Sequence, residues 1–157
     1  MTNTLVVLLG AALLLPAAFY MGTGLSIILF QYRTTGTATG AKNFVDSFIS
    51  PVKMAIRTFT ILSTLMMVGS AGLAIAEWHS ARKWLPIAYF LTVAGAATYT
   101  IKIMFPINHK LAASPDDAEF HRLVALWKRR HNIRAVIWSS EIFYMITWLV
   151  LLARKGR

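Results

Sequence analysis

The chain has 157 residues, 57% of them hydrophobic and only 14% charged, with a mean hydropathy of +0.58 and no cysteine. That length holds one compact unit, and a soluble domain this small would show far more polar surface, so the class is membrane protein. The missing cysteine excludes disulfides, cysteine-ligated zinc, iron–sulfur clusters and thiol catalysis. The net charge of +10 comes from 16 Lys+Arg against 6 Asp+Glu. It flanks apolar runs, where it faces lipid headgroups rather than nucleic acid.

The first apolar run extends from about Leu5 to Phe30. No basic segment precedes it and it is too long for a signal-peptide core, so it reads as a retained first span. Pro16 marks a candidate kink, and Gly22 and Gly24 allow close helix approach. The stretch RTTGTATGAKN, residues 33–43, reads as loop, and Phe44, Phe48 and Ile49 suggest a short interfacial piece after it. Ser50-Pro51 is a helix start, a cap followed by Pro at the first helical position. The second span runs from there to Ala76, with Gly69, Ala71 and Gly72 as small packing residues. Glu77 to Trp84 form a wet turn with interfacial tryptophans. The third span begins at Leu85-Pro86 and is expected to stop at Phe105, because Pro106 cannot donate to a continuing helix.

Ser114-Pro115-Asp116-Asp117 is a second helix start, with two acids on the positive end of the helix dipole. Phe120, Leu123, Val124 and Trp127 then recur at helical spacing. No Pro or Gly interrupts residues 118–153, so an amphipathic helix over residues 115–131 runs on as the fourth span. The expected fold is all-α: a four-helix transmembrane bundle in a single domain over residues 1–157. Its spans lie at residues 5–30, 51–76, 85–105 and 133–152. Counting Lys and Arg by side puts the one–two and three–four connections in the cytoplasm and both termini outside. A bacterial inner membrane is the expected location, membrane lipid the expected partner, and a homo-oligomer is compatible with the sequence.

The last helix carries the chemistry. At about 100° per residue, Trp127, His131, Arg134, Trp138, Glu141 and Met145 fall on one stripe. Glu141 lies seven residues beyond Arg134, about 10 Å deeper along the axis. An ionisable group there is costly and is expected to face the bundle. A structural contact between helices is the plain alternative for Glu141. Lys53, Arg57, Thr60 and Thr64 form a stripe on the second span, and Thr98 and Lys102 lie one turn apart on the third. Arg57, Lys102, His131 and Arg134 are thus expected to converge near the cytoplasmic face, with Asn108 and His109 on the loop above. Snorkelling and topology account equally well for Arg57 and Lys102. A cationic, tryptophan-lined pocket suits a flat, apolar, anionic molecule such as a phenolate, enolate or quinol. His131 is then the group placed to accept its proton. The four histidines show no recognised metal spacing, and no phosphate-binding loop or serine-nucleophile motif occurs. No metal site is therefore assigned, although haem ligation from separate helices is not excluded.

Pro106-x-Asn108, followed after an amphipathic segment by Trp127-x3-His131-x2-Arg134, resembles the anthrone oxygenase-like family of small four-span membrane proteins. Members often carry a His-Pro pair after the first span, where this chain reads FQYRTTG. The resemblance implies oxidation of an anthrone to an anthraquinone by molecular oxygen, with no cofactor. Most bacterial members have no known activity. The resemblance and the reading of the residues together give His131, Arg134, Asn108 and Glu141 as catalytic candidates, and Trp127, Trp138, Arg57, Lys102 and His109 as ligand-binding candidates. Two other readings stay open. One is a non-enzymatic protein that binds an anionic lipid or hydrophobic ligand. The other is a small proton-coupled transporter or assembly subunit that uses Glu141.

Overall fold

The computed structural model describes residues 3–34, 38–46, 52–113 and 118–155. Ser50, Pro51 and the Ser114–Asp117 helix start lie outside the described residues, as do Phe48 and Ile49. Helix α1 (Asn3–Ser26) passes through Pro16 and continues by a π turn, Ile27–Gln31, into the short α2 (Tyr32–Thr34). It is followed by α3 (Ala38–Phe44), α4 (Val52–Ala76), α5 (Trp84–Tyr99), a second π turn (Thr100–Met104), α6 (Phe105–Ala113) and α7 (Ala118–Lys155). Four continuous helical stretches, Thr4–Gln31, Ile56–Ala76, Ala81–Ala113 and Ala118–Arg154, are long and apolar enough to cross a membrane. The chain is a membrane-integral helical bundle.

The four long helices form a ring, in which α1 and α5 each pack against both α4 and α7. On α7 the buried positions 120, 124, 127, 131, 134, 138, 141, 145 and 148 recur at alternating steps of three and four. That spacing winds one continuous seam onto the neighbouring helices. Lipid is as apolar as a leucine side chain, so close packing rather than apolar burial joins helices inside a bilayer. The α1–α7 contact is built that way. A Cβ on Gly24 would lie 3.1 Å from the Trp138 ring and 3.3 Å from the Ala135 methyl, and one on Gly10 would run into the Trp148 ring. Gly22, by contrast, faces open space, so of the two glycines expected to serve close approach only Gly24 does.

Two apolar cores stack along the bundle. The first holds Leu13, Met66, Leu73, Val93, Met145 and Trp148. The second, toward the N-terminal end of α7, holds Ile27, Phe44, Met104, Leu111, Phe120, Leu123 and Trp127. At the opposite end Glu77 and Arg82 close a tight turn with an ion pair in which Arg82 Nε and Nη2 both donate to Glu77 Oε2, at 3.0 and 2.8 Å. Lys83 there lies over the exposed Trp78 and Trp84 rings, at 4.7 and 5.6 Å.

Two expectations need correction. The helix does not stop at Phe105 but runs on through Pro106 to Ala113. In a regular α-helix the proline ring would collide with the carbonyl four residues back. Here the π turn shifts the pattern, with the Phe105 N–H reaching the Thr100 carbonyl, and the widened turn accepts the ring. The stretch read as loop is also partly helical. Helix α3 occupies Ala38–Phe44, because Ala41 and Phe44 can be buried in the second core. Ala41, Phe44 and Val45 carry helical spacing, but the Thr and Gly residues before them read as loop.

Candidate functional site

Between the two cores lies a cavity of about 360 Å³. Every long helix contributes to its wall: Tyr20 from α1, Phe59 and Ser63 from α4, Ala96 and Ala97 from α5, and Trp138 and Glu141 from α7. Asn108 and Trp127 stand at its second-core end, and Arg134 lines it as well. The wall is mostly apolar and aromatic with a few polar groups, which is the ordinary character of a small-molecule site.

The α7 seam places Trp127, His131, Arg134, Trp138 and Glu141 on the inward side, and all five are buried. The Trp127 and His131 rings stack with centroids 4.8 Å apart and planes 3° from parallel. The Trp127 indole N–H donates to the Asn108 amide oxygen at 2.8 Å. An indole can only donate, so this bond fixes which way the Asn108 amide is turned. Phe44 closes on the edge of the Trp127 ring at 5.0 Å.

His131 is fully buried and is not among the cavity-lining residues. Its Nδ1 lies 2.7 Å from Arg134 Nη2, and its Nε2 lies 3.4 Å from the Gly24 carbonyl oxygen. A guanidinium has no acceptor, so Arg134 must donate to Nδ1. The ring proton therefore sits on Nε2 and points at Gly24. Both nitrogens are engaged within the protein, and the geometry makes His131 a support that aims Arg134. The guanidinium carbon sits 4.6 Å from the centre of the Trp138 ring, which in turn stacks on Phe59 at 6.0 Å and 8°. Arg134 Nε and Glu141 Oε2 are buried without a hydrogen-bond partner among the described residues. A cation and a carboxyl thus face one cavity with bonding capacity unused.

The remaining candidates lie elsewhere. Arg57, Lys102 and His109 are exposed and do not line the cavity. Arg57 and Lys102 therefore do not join Arg134 in the cavity wall, although their neighbours Ile56 and Ile101 line it. Long basic side chains near span ends keep their charged heads outward. His109 belongs to α6, because the helix continues past Pro106 instead of opening into a loop. The side chain of Lys53 lies outside the described residues.

Sequence reasoning missed Tyr20, Phe59, Ser63 and the carbonyl of Gly24. The Tyr20 hydroxyl donates to the Phe59 carbonyl at 2.8 Å and meets Ser63 Oγ at 2.7 Å, tying α1 to α4 beside the cavity. A tyrosine deep in an apolar run needs a partner for its hydroxyl, and that signal was present in the sequence. Gly24 serves close approach as expected, but its carbonyl contact to His131 is one that no side-chain pattern reveals.

No curated protein and no solved structure matches the chain. The family profile described as anthrone oxygenase matches residues 48–140, more than half of the chain. The matched stretch contains Pro106, Asn108, Trp127, His131 and Arg134, of which Asn108, Trp127 and Arg134 line the cavity. On that match the chain belongs to the anthrone oxygenase family.

Proposed function

We propose that the protein is a cofactor-independent oxygenase that binds an anthrone-type polycyclic phenol in the cavity and oxidises it with molecular oxygen. The observation that carries this reading is the pairing of Arg134 and Glu141 on one apolar, aromatic-walled cavity. The substrate's ring methylene gives a proton to the Glu141 carboxylate. The carbanion left behind delocalises onto the ring oxygen as a phenolate, which Arg134 holds by charge-assisted hydrogen bonds. The aromatic wall of Tyr20, Phe59 and Trp138 packs against the fused rings. The carbanion passes one electron to oxygen, and the resulting superoxide and carbon radical combine to a peroxide. The protonated peroxide loses water to leave a carbonyl. One oxygen atom ends in the quinone and the other in water, and both methylene hydrogens leave in that water.

In this scheme Glu141 takes the proton that sequence reasoning gave to His131, because His131 has no free nitrogen facing the cavity. The test is oxygen consumption by the purified protein in lipid vesicles supplied with anthrone. Glu141→Gln keeps the shape and removes the base, so turnover should fall by about 10²–10⁴ while anthrone still binds. Undiminished turnover in Glu141→Gln would remove the carboxylate from the mechanism. Absent oxygen uptake by the wild type, with anthrone demonstrably bound, would favour a binding protein instead.

A further inference from the structure

Most side chains around the cavity are buried or half-buried, but three open to the exterior: Thr60 and Thr64 on α4, and Ile101 on the π turn after α5. Ile101 is 60% exposed. All three belong to helices long and apolar enough to cross a membrane, with Thr60 one turn from the start of its span at Ile56 and Ile101 beside Lys102. They lie on the second and third spans, so they frame the seam between those two. Thr64 donates its hydroxyl back to the Thr60 carbonyl at 2.8 Å, so this rim residue turns its hydrogen-bonding proton to its own helix.

Along the bundle axis the cavity is stopped at both ends. Toward the second core stand Met104, Ile107 and Trp127, and toward the first Leu73, Met145 and Trp148, none more than 8% exposed. These layers are packed and mainly apolar, with Asn108 as the polar lining residue at the second-core end. The exposed rim residues Thr60, Thr64 and Ile101 open on the outer side of two helices of membrane-spanning length.

We propose that the seam between the second and third spans is a lateral port, through which the cavity takes an uncharged, lipid-dissolved aromatic molecule from the bilayer. A neutral phenol or ketone crosses a rim of threonine and isoleucine at little cost, whereas an anion would have to leave water first. The ligand's charge develops only inside, next to Arg134. The ligand class rests on the oxygenase reading; the position of the port rests on the rim residues alone.

The chain has no cysteine, so Thr64→Cys and Ile101→Cys each introduce a single thiol by a modest change. A benzyl group added to that thiol with a methanethiosulfonate reagent fills the seam, and dithiothreitol removes it. Phe143→Cys is the control, on the exposed face of α7 and away from the cavity. Anthrone binding is followed by stopped-flow fluorescence in phosphatidylcholine vesicles under nitrogen, so that no turnover is needed. The benzyl adduct at Thr64→Cys or Ile101→Cys should slow association by roughly tenfold or more, because the binding-competent state becomes rare. Dithiothreitol should restore the rate, and the Phe143→Cys adduct should change nothing. Unchanged association in both blocked variants, or equal slowing in the control, overturns the port. So does a wild type that binds no anthrone. Normal anthrone binding through the seam without oxygen uptake would sink the oxygenase reading and leave the port standing.

Discussion

Arg134 is the residue on which the cavity's chemistry turns, and three groups from two helices hold it. Its Nη2 donates to His131, its plane lies over Trp138, and His131 is itself anchored on the Gly24 carbonyl of α1. Arg134→Ala should weaken binding of an aromatic phenolate by about 1.5–3 kcal/mol, roughly ten- to a hundredfold. Arg134→Lys should restore only part of that, since a lysine ammonium cannot reproduce the planar fork. His131→Ala should give an intermediate loss, because the cation remains but is no longer aimed. Isothermal titration in detergent across the three variants checks the order. Equal affinity for wild type and Arg134→Ala would dismiss the cation as a ligand contact. The stripe from Trp127 to Glu141 was legible in sequence because one helix carries all of it. The partner of His131 was not, since it is a backbone oxygen more than a hundred residues away. Nor was the outward aim of Arg57 and Lys102, which depends on how each helix is rotated about its axis.

At the scale of the helix, the two π turns and the α1–α7 contact decide the geometry. The turn at Thr100–Met104 carries the third long helix past Pro106 and so brings Asn108 to Trp127. Proline reads as a stop signal in sequence, and only the neighbouring widened turn reveals that the helix goes on. The α1–α7 contact is tight because Gly10 and Gly24 bring no Cβ to it. Gly10→Val should force the rigid, fully buried Trp148 ring out of place. Overpacking of that kind costs about 1–3 kcal/mol. Thermal unfolding in detergent should report a lower midpoint, and an unchanged midpoint would mean that the two helices can separate freely. Leu13 meets Gly69 with a flexible branch, at 2.8 Å from the position of an added Cβ, so Gly69→Ala should be milder.

For the whole molecule, four spans and the class of the fold were legible from apolar run length, because backbone hydrogen bonding leaves a bilayer-crossing chain few alternatives. The second core was not, since α7, at 38 residues and about 57 Å, reaches well beyond a hydrocarbon layer of about 30 Å and gathers α3 and α6 around its overhang. The Lys and Arg asymmetry predicts that this overhang lies in the cytoplasm. Reporter fusions at Arg157 and within residues 34–40 should therefore report outside and inside, respectively. Reports from one compartment would break the topology. The rim at Thr60, Thr64 and Ile101 carries one more consequence. An opening onto acyl chains makes the solvent itself a rival for the cavity, since every lipid or detergent tail nearby can enter an apolar slot. Discrimination against those tails has to come from what a hydrocarbon cannot offer: an oxygen for Arg134, a proton for Glu141, and fused rings for the aromatic wall. The polar wall of the cavity thus distinguishes its guest from the medium that delivers it. A long-chain detergent should then act as a competitive inhibitor, and the same protein should look weaker in micelles than in vesicles.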